Sequence, residues 1–269
     1  MKTKHKIYIA KIISFLISIF FSKKKVKIKR NNIFWDLDLN QGIDLSIFIF
    51  GTFESSVINV AKKIIQKKKM DIVDIGSNMG VHTLNLANIF KKSKVYSIEP
   101  TNFAYEKLLN NINLNKNINN IHTFRYFITN TKNKPSKVYS SWQLNSEKQK
   151  HKKHMGILQT TKNTKIRSLD NFVKENKISK KLFIKCDVDG NELKVFKSGE
   201  KYLKKFKPYI FMELAPYLYL EYGYDCKSLI NYLKKFNYEF YESKNLKKIK
   251  DIFFFAEKIK DGASENIFL

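Results

Sequence analysis

The sequence predicts an α/β fold: a doubly wound sheet of parallel strands with helices on both faces, preceded by a small N-terminal extension. Three observations carry this. From residue 71 onward, short apolar runs alternate with longer helical segments, the pattern of buried parallel strands joined by helical crossovers. Four of the runs end on a carboxylate: Asp74 in "DIVD", Glu99 in "YSIE", Asp187 in "IKCD" and Glu213 in "FME". A glycine-containing turn, "DIGSNMG", follows the first run.

The elements fall in order. "DIVDIG", "KVYSIEP", "IHTFRYFIT", "KLFIKCD", "PYIFMEL", "YEFYES" and "KDIFFFAEK" read as strands. Between them, "GVHTLNLANIF", "NFAYEKLLNNINLN", "RSLDNFVKEN", "NELKVFKSGEKYLKKF" and "KSLINYLKKF" read as helices, with Ser168 as a cap. Upstream, "VKIKRNNIFWDLDLNQG" alternates like a hairpin, with Val26, Ile28, Ile33, Trp35, Leu37 and Leu39 as its apolar positions. "FESSVINVAKKIIQKKK" places Val57, Val60, Ala61, Ile64 and Ile65 on one helical face. Residues 131–165 interrupt the order with a polar stretch holding one strand candidate, "SKVYSSW". It reads equally as a loop over an active site or as a plain surface excursion.

The chain has 269 residues, 43% of them hydrophobic, enough for a substantial core. Its net charge of +27 invites a nucleic-acid reading. Only Arg30, Arg125 and Arg167 among its cations are arginines, the residue that reads bases and grips phosphate bidentately. The abundance of Lys with Asn, Ile, Phe and Tyr instead matches AT-rich codon usage. A nucleic-acid partner is therefore not expected. Two cysteines, Cys186 and Cys226, show no paired spacing, so a reducing, cytoplasmic setting is the expectation.

Residues 1–30 contain no acid. Their apolar run from Ile12 to Phe21, between Lys11 and Lys23, spans ten residues, short of the ~20 a membrane crossing needs. No small-residue cleavage site follows, which argues against a signal peptide. A helix docked on the core is favoured, with a peripheral membrane-surface contact through residues 1–30 as the alternative.

In a doubly wound sheet the carboxyl ends of the strands line one crevice, where ligands bind. Asp74, Glu99, Asp187 and Glu213 thus converge on one rim, which suits a ligand that is cationic, rich in hydroxyls, or a metal. The first turn has G-x-x-x-G spacing through Gly76 and Gly80. That is neither the dinucleotide fingerprint nor the P-loop. Its glycines permit a tight turn and close approach to a ligand. Asp74 before the turn would repel pyrophosphate and suit a sulfonium group. Glu99 stands 23 residues after Gly76, where an acid accepts hydrogen bonds from ribose hydroxyls. A cation-favouring loop with a ribose-gripping acid describes S-adenosylmethionine.

The blocks "MDIVDIGSNMGVHTLNLA", "VYSIEPTNFAYEKLLNNINLN", "RSLDNFV" and "LFIKCDVDGNELKVFKSGEKYLKKFKPYIFMEL" resemble successive blocks of the FkbM family of S-adenosylmethionine-dependent methyltransferases. "WDLDLNQGIDLSIFIFGTFE" resembles the segment that precedes the core in many members. The resemblance covers roughly residues 35 to 256, and "IKCDVDGNE" followed by "KPYIFMEL" is its specific part. It implies a seven-stranded class I, Rossmann-like methyltransferase sheet and methyl transfer to oxygen, commonly on a sugar or natural product. It places Asp74, Gly76, Asn78, Gly80 and Glu99 on the cofactor-binding motifs. Phe127, where the family usually has a small residue near the adenine, departs from the pattern. The expected division is an extension over residues 1–52 and a methyltransferase domain over residues 53–269.

Methyl transfer requires alignment of the acceptor and removal of its proton. "CDVDG" lacks the Asn/Asp-Pro-Pro-aromatic motif of N-methyltransferases. Asp187 is the expected proton acceptor, with Glu192 and Glu213 as further catalytic candidates; for Asp189 and Glu192 the roles left open are binding substrate hydroxyls, sharing a metal, or raising the pKa of Asp187. Glu192 also fits a plain helix-start acid, and Asp189-Gly190 plain turn chemistry. A divalent ion held by these acids is an unfavoured alternative, and no metal ligand is assigned. His82 is expected to pack or cap, His122 to be a structural strand residue, and His151 and His154 to sit in a solvated loop. The expected function is O-methylation of a glycan or small hydroxylated metabolite. The alternatives are an RNA-directed methyltransferase and a non-catalytic basic binding protein.

Overall fold

The computed structural model describes residues 3–20, 24–66, 69–144 and 149–269. Phe21 and Lys23 of the N-terminal run, and residues 145–148 of the insertion, lie outside the described residues. The extension holds α1 (Thr3–Phe20), the hairpin β1 (Lys25–Arg30) and β2 (Ile33–Asp38), and α2 (Gly42–Phe50), and α3 (Ser56–Ile65) follows it. The core begins with β3 (Asp71–Ile75), α4 (Val81–Ile89), β4 (Val95–Ile98), α5 (Asn102–Asn113), β5 (Ile121–Phe124) and β6 (Tyr126–Ile128). The insertion forms β7 (Lys137–Ser140) and β8 (Ile157–Thr160), an antiparallel pair. Then follow β9 (Lys165–Arg167), α6 (Leu169–Glu175), β10 (Leu182–Cys186), α7 (Glu192–Ser198), α8 (Glu200–Phe206), β11 (Tyr209–Leu214), α9 (Pro216–Tyr219), α10 (Cys226–Lys234), β12 (Tyr241–Glu242), α11 (Ile252–Glu257) and β13 (Glu265–Phe268).

Seven strands form one sheet in the order β12-β13-β11-β10-β3-β4-β5. β10 pairs parallel with β11 and β3, which continues parallel through β4 to β5; β13 alone runs antiparallel to its neighbours. Burial follows the period of two that strand geometry imposes. Val73, Ile75, Ile184, Cys186, Ile210 and Met212 belong to one buried cluster with Phe172, Phe196 and Leu229 of the helices. Ile72, Phe183 and Phe211 face the other way and join Val57, Val60 and Leu84. Helices therefore cover both faces.

The hairpin belongs to that second cluster through Ile33, Trp35 and Leu37. Its turn places Asn31 and Asn32 at φ 52° and 60°, the left-handed pair that a tight hairpin requires. The Asn115 side chain accepts from Phe34 N–H and donates to Phe34 C=O (2.8 and 2.7 Å), and Asn111 accepts from Asp36 N–H (3.0 Å). These side chains occupy backbone groups that an edge strand would otherwise leave open.

Three local expectations are corrected. "KDIFFFAEK" holds a helix, α11: the Asp251 side chain accepts from Phe253 and Phe254 N–H and caps it. A short apolar run does not distinguish strand from helix by periodicity. "IHTFRYFIT" is two strands, because β6 leaves the main sheet after Arg125 to pair with β9. The last sheet strand is β13, in "ENIF", and "YEFYES" contributes only β12. The expected Ser168 cap is present, accepting from Asn171 N–H at 3.2 Å.

Candidate active site

The carboxyl ends of β3, β4, β10 and β11 open onto one cleft of about 1150 Å³, open solvent at its mouth included. Among the predicted residues Gly76, Asn78, Glu99, Asp187 and Glu213 line it, with Asp189. Asp74, Gly80 and Glu192 do not.

The first turn is shaped by backbone proximity. Gly76 has φ +79°, and a Cβ there would lie 1.8 Å from the Asp187 carbonyl oxygen. Gly76 and Ser77 N–H both donate to Ile98 C=O (2.9 and 3.1 Å), which ties the turn to β4. Glycine is needed because β10 presses on the turn; no side chain has room. Asn78 takes φ 49° and donates its N–H to Glu99 Oε2 at 3.0 Å. Glu99 Oε1 accepts from Thr101 N–H and Oγ1 (2.9 and 2.6 Å). Burial raises the Glu99 pKa, and the Thr101 and Asn78 hydrogen bonds oppose the rise. A carboxylate oxygen has two acceptor positions, so Oε2 keeps one open at the cleft wall.

Asp74 is fully buried behind this turn. Thr83 Oγ1 donates to its Oδ2 at 2.7 Å, and Lys185 Nζ lies 3.3 Å from its Oδ1. Its charge is met by the protein, so the expectation that it faces a cationic ligand is corrected. Lys185 and Asp74 are register partners on neighbouring strands, which places both side chains on the same face of the sheet. Lys185 Nζ also donates to Gly76 C=O at 2.9 Å and lies 3.4 Å from Asp187 Oδ2. Burial pulls its pKa down, but Asp74, Asp187 and Glu54 outweigh burial and hold it above the ordinary lysine range.

Asp187 keeps 32% of its side chain exposed, at the cleft. Around it stand Asp189, Glu213 and Glu54. Glu54 was not picked out from sequence; it follows the extension and carries no motif. Burial and the Asp187 charge raise the Glu54 pKa to about 7, against Lys185 and Lys6. Burial and the neighbouring acids also raise Asp189 and Glu213 well above the usual carboxylate range. Oxygens of Asp187, Asp189 and Glu213 lie within 4.8 Å of one another. A hard divalent cation accepts such a set, though Lys185 already meets part of its charge.

Glu192 is corrected as a catalytic candidate. It is wholly buried, and its Oε1 accepts from Val188 and Gly190 N–H (3.2 and 3.4 Å). It orders the turn after β10. His82 is buried at the start of α4, and burial and Lys185 lower its pKa to about 3, so it is neutral. His122 stacks on Tyr96 in the sheet, 5.1 Å between centroids.

The insertion walls the cleft with Val138, Tyr139, Ser140, Ser141, Trp142 and His154. It is tied down by Gly42 N–H to Trp142 C=O (2.8 Å) and by Asn78 Nδ2 to Ser141 Oγ (3.4 Å). His151 and His154, expected in solvent, are buried and stacked 3.9 Å apart. His151 Nδ1 accepts from His154 N–H, which leaves Nε2 to donate to Glu221 at 2.9 Å. Burial and His151 lower the His154 pKa to about 3. Its Nδ1 accepts from Gly156 N–H (3.2 Å), so the neutral ring carries its proton on Nε2. Phe127 is buried and lines the cleft with Tyr126 and Ile128.

Fold and site together fit the class I methyltransferases, whose cofactor is S-adenosylmethionine. The residues fit that cofactor: Glu99 keeps an acceptor position for hydroxyls, and the part-exposed Asp187 among further acids suits a cation. The domain described as "Methyltransferase FkbM domain" matches residues 74–240, more than half of the chain, and the chain belongs to that family. Among solved structures it is similar to methyltransferase FkbM from Methylobacillus flagellatus KT, at 17% identity and TM-score 0.42, over 62% of this chain and 37% of that one. This chain thus spans little more than a third of that protein. It is also similar to M. jannaschii TYW2 in complex with AdoMet (15% identity, 91% of this chain and 84% of that one, TM-score 0.40). A third is precorrin-6y C5,15-methyltransferase from Geobacter metallireducens GS-15 (9% identity, 80% and 85%, TM-score 0.43). None of these likenesses bears on the substrate. No curated protein matches the sequence.

Proposed function

We propose that the cleft transfers a methyl group to a hydroxyl of a glycan or small hydroxylated metabolite. One observation carries the reading: a part-exposed carboxylate, Asp187, ends the strand at the centre of the cleft with a buried ammonium, Lys185, 3.4 Å from it. Bound in the turn of Gly76 and Asn78 with Glu99 at its ribose, S-adenosylmethionine supplies an electrophilic methyl on a sulfonium. Asp187 accepts the proton that the acceptor hydroxyl loses. Lys185 fixes the Asp187 carboxylate, so it is a positioning residue. Asp189 and Glu213 accept hydrogen bonds from neighbouring hydroxyls, which a carboxylate-lined pocket favours over apolar or anionic acceptors. His154 Nε2–H, from the insertion, donates to an acceptor oxygen.

The arginines support this reading over an RNA-directed one. Arg30 donates to Phe48 C=O, Arg125 donates to Lys162 C=O, and Arg167 pairs with Glu175. All three are engaged with the chain itself.

The test is transfer of labelled methyl to glycan and lipid extracts by wild type and Asp187→Asn. Loss of transfer with cofactor binding retained is expected. Equal transfer by both proteins removes Asp187 from the reaction.

A further inference from the structure

The N-terminal helix α1 does two things at once. One face docks. Ile7 is buried with Leu45 and Leu144, and Ala10, Ile13 and Ile17 pack against them. Ser14 Oγ donates to Leu39 C=O at 3.1 Å. The opposite face is equally apolar and open. Tyr8, Ile12, Phe15 and Ile19 follow at i, i+4, i+7 and i+11, with 67%, 46%, 67% and 62% of their surface exposed; Ile9 and Leu16 flank them at 46% and 50%. That spacing makes one stripe about 17 Å long at 1.5 Å per residue. A contiguous apolar patch of this kind marks an interaction surface. Among the described residues no helix is long and apolar enough to cross a membrane.

Charge decides what covers the stripe. The first 35 residues hold ten Lys and Arg and no Asp or Glu. Lys11 borders the stripe on the helical wheel, and Lys24, Lys25 and Lys27 follow the helix in sequence. A second copy of the chain would bring the same cations face to face and be repelled. An anionic lipid surface meets both features, an apolar interior and a negatively charged boundary.

We infer that α1 is an in-plane anchor on an anionic lipid surface. Its Tyr8–Ile19 stripe enters the boundary between headgroups and acyl chains, and Lys11 reaches back to lipid phosphates. The docked face keeps the helix on the protein while the other face binds. Trp142, packed on the same cluster as α1, also lines the cleft. The anchor and the cleft therefore share a wall.

The test is sedimentation of the full chain with vesicles of phosphatidylcholine alone and of phosphatidylcholine with phosphatidylglycerol. Wild type is expected to pellet with the anionic vesicles and to stay largely in solution with the neutral ones. The double variant Ile12→Glu/Ile19→Glu is expected to bind about tenfold or more weakly, through loss of apolar burial. Both residues are exposed, so its melting temperature and cofactor affinity should match wild type. Independently, the indole introduced by Phe15→Trp should be quenched by brominated lipid. Failure of wild type to pellet overturns the inference. So does equal binding by the double variant, or absence of quenching in the Phe15→Trp protein, because binding would then be by charge alone. A lipid-free dimer that the double variant dissolves also overturns it, by assigning the stripe to a second copy.

Discussion

The turns after β3, β4 and β10 reach the cleft from buried parallel strands, whereas the opposite wall comes from residues 131–165 and the extension. On the strand side, backbone holds backbone. Gly76 N–H meets Ile98 C=O, Asp187 N–H meets Ile75 C=O (3.1 Å), and Gly76 lies against Asp187 C=O with no room for a methyl group. On the wall, a few backbone bonds anchor residues whose function lies in side chains. Trp142 packs edge-on against Phe53 at 5.8 Å, and His154 stacks on His151. Sheet topology leaves the strand side little freedom. The wall can exchange side chains without disturbing the sheet. In the proposed reaction, cofactor binding and proton transfer fall to the first region, and choice of acceptor to the second.

Substitutions test that division. Gly76→Ala should be the most severe, since its Cβ collides with backbone and its φ is left-handed; calorimetry should detect no cofactor binding, and a near-normal affinity would show that the turn can relax. Lys185→Met strands Asp74 without its buried counter-charge and should cost about 3–5 kcal/mol of unfolding free energy in a denaturant titration. Wild-type stability would mean that the fold does not depend on the Lys185–Asp74 pair. Asp187→Asn should lower kcat by about 10²–10⁴ while leaving cofactor affinity intact.

On the wall, His154→Phe should raise the acceptor KM by about tenfold at most, the range of one neutral hydrogen bond. Cofactor affinity should not move, and if it does, the two regions are not separable. The smallest effect is a pH dependence. Glu54 has its pKa raised from 4.5 to about 7, so it ionises as pH rises through about 7. Affinity for the cationic S-adenosylmethionine should rise across that interval, and affinity for the neutral S-adenosylhomocysteine should not, in parallel titrations at pH 6 and 8. The same shift removes stability from the unliganded fold as pH rises from 4.5 to about 7. Glu54→Gln should flatten the melting-temperature profile there.

Local patterns carried much of this protein. Near-continuous apolar strands such as "LFIKC", the Ser168 cap and the hairpin alternation are set by neighbours in sequence. The convergence of strand-end acids also followed from topology alone, because parallel strands share one carboxyl edge. "KDIFFFAEK" reads ambiguously because five apolar residues in a row have no periodicity, and Asp251 capping decides for a helix. β13 is a short segment stabilised by pairing with β11 and β12, which no local signal announces. Lys185 was within reach of sequence reasoning: a lysine in the middle of a buried strand needs a partner, and the strand order supplies Asp74.

Spacing along the chain was enough to specify the fold class, the parallel strands β3, β4, β10 and β11, the glycine turn, the family and most of the acids from which the site is drawn. Which partners each acid meets was decided in three dimensions. Asp74 meets Lys185 and Thr83, Glu192 meets N–H groups of its own turn, Asp187 remains open, and Glu54 joins from just after the extension. A carboxylate's role depends on which cation, N–H group or solvent reaches it, and those partners are up to 111 residues away, as in the pair of Lys185 and Asp74.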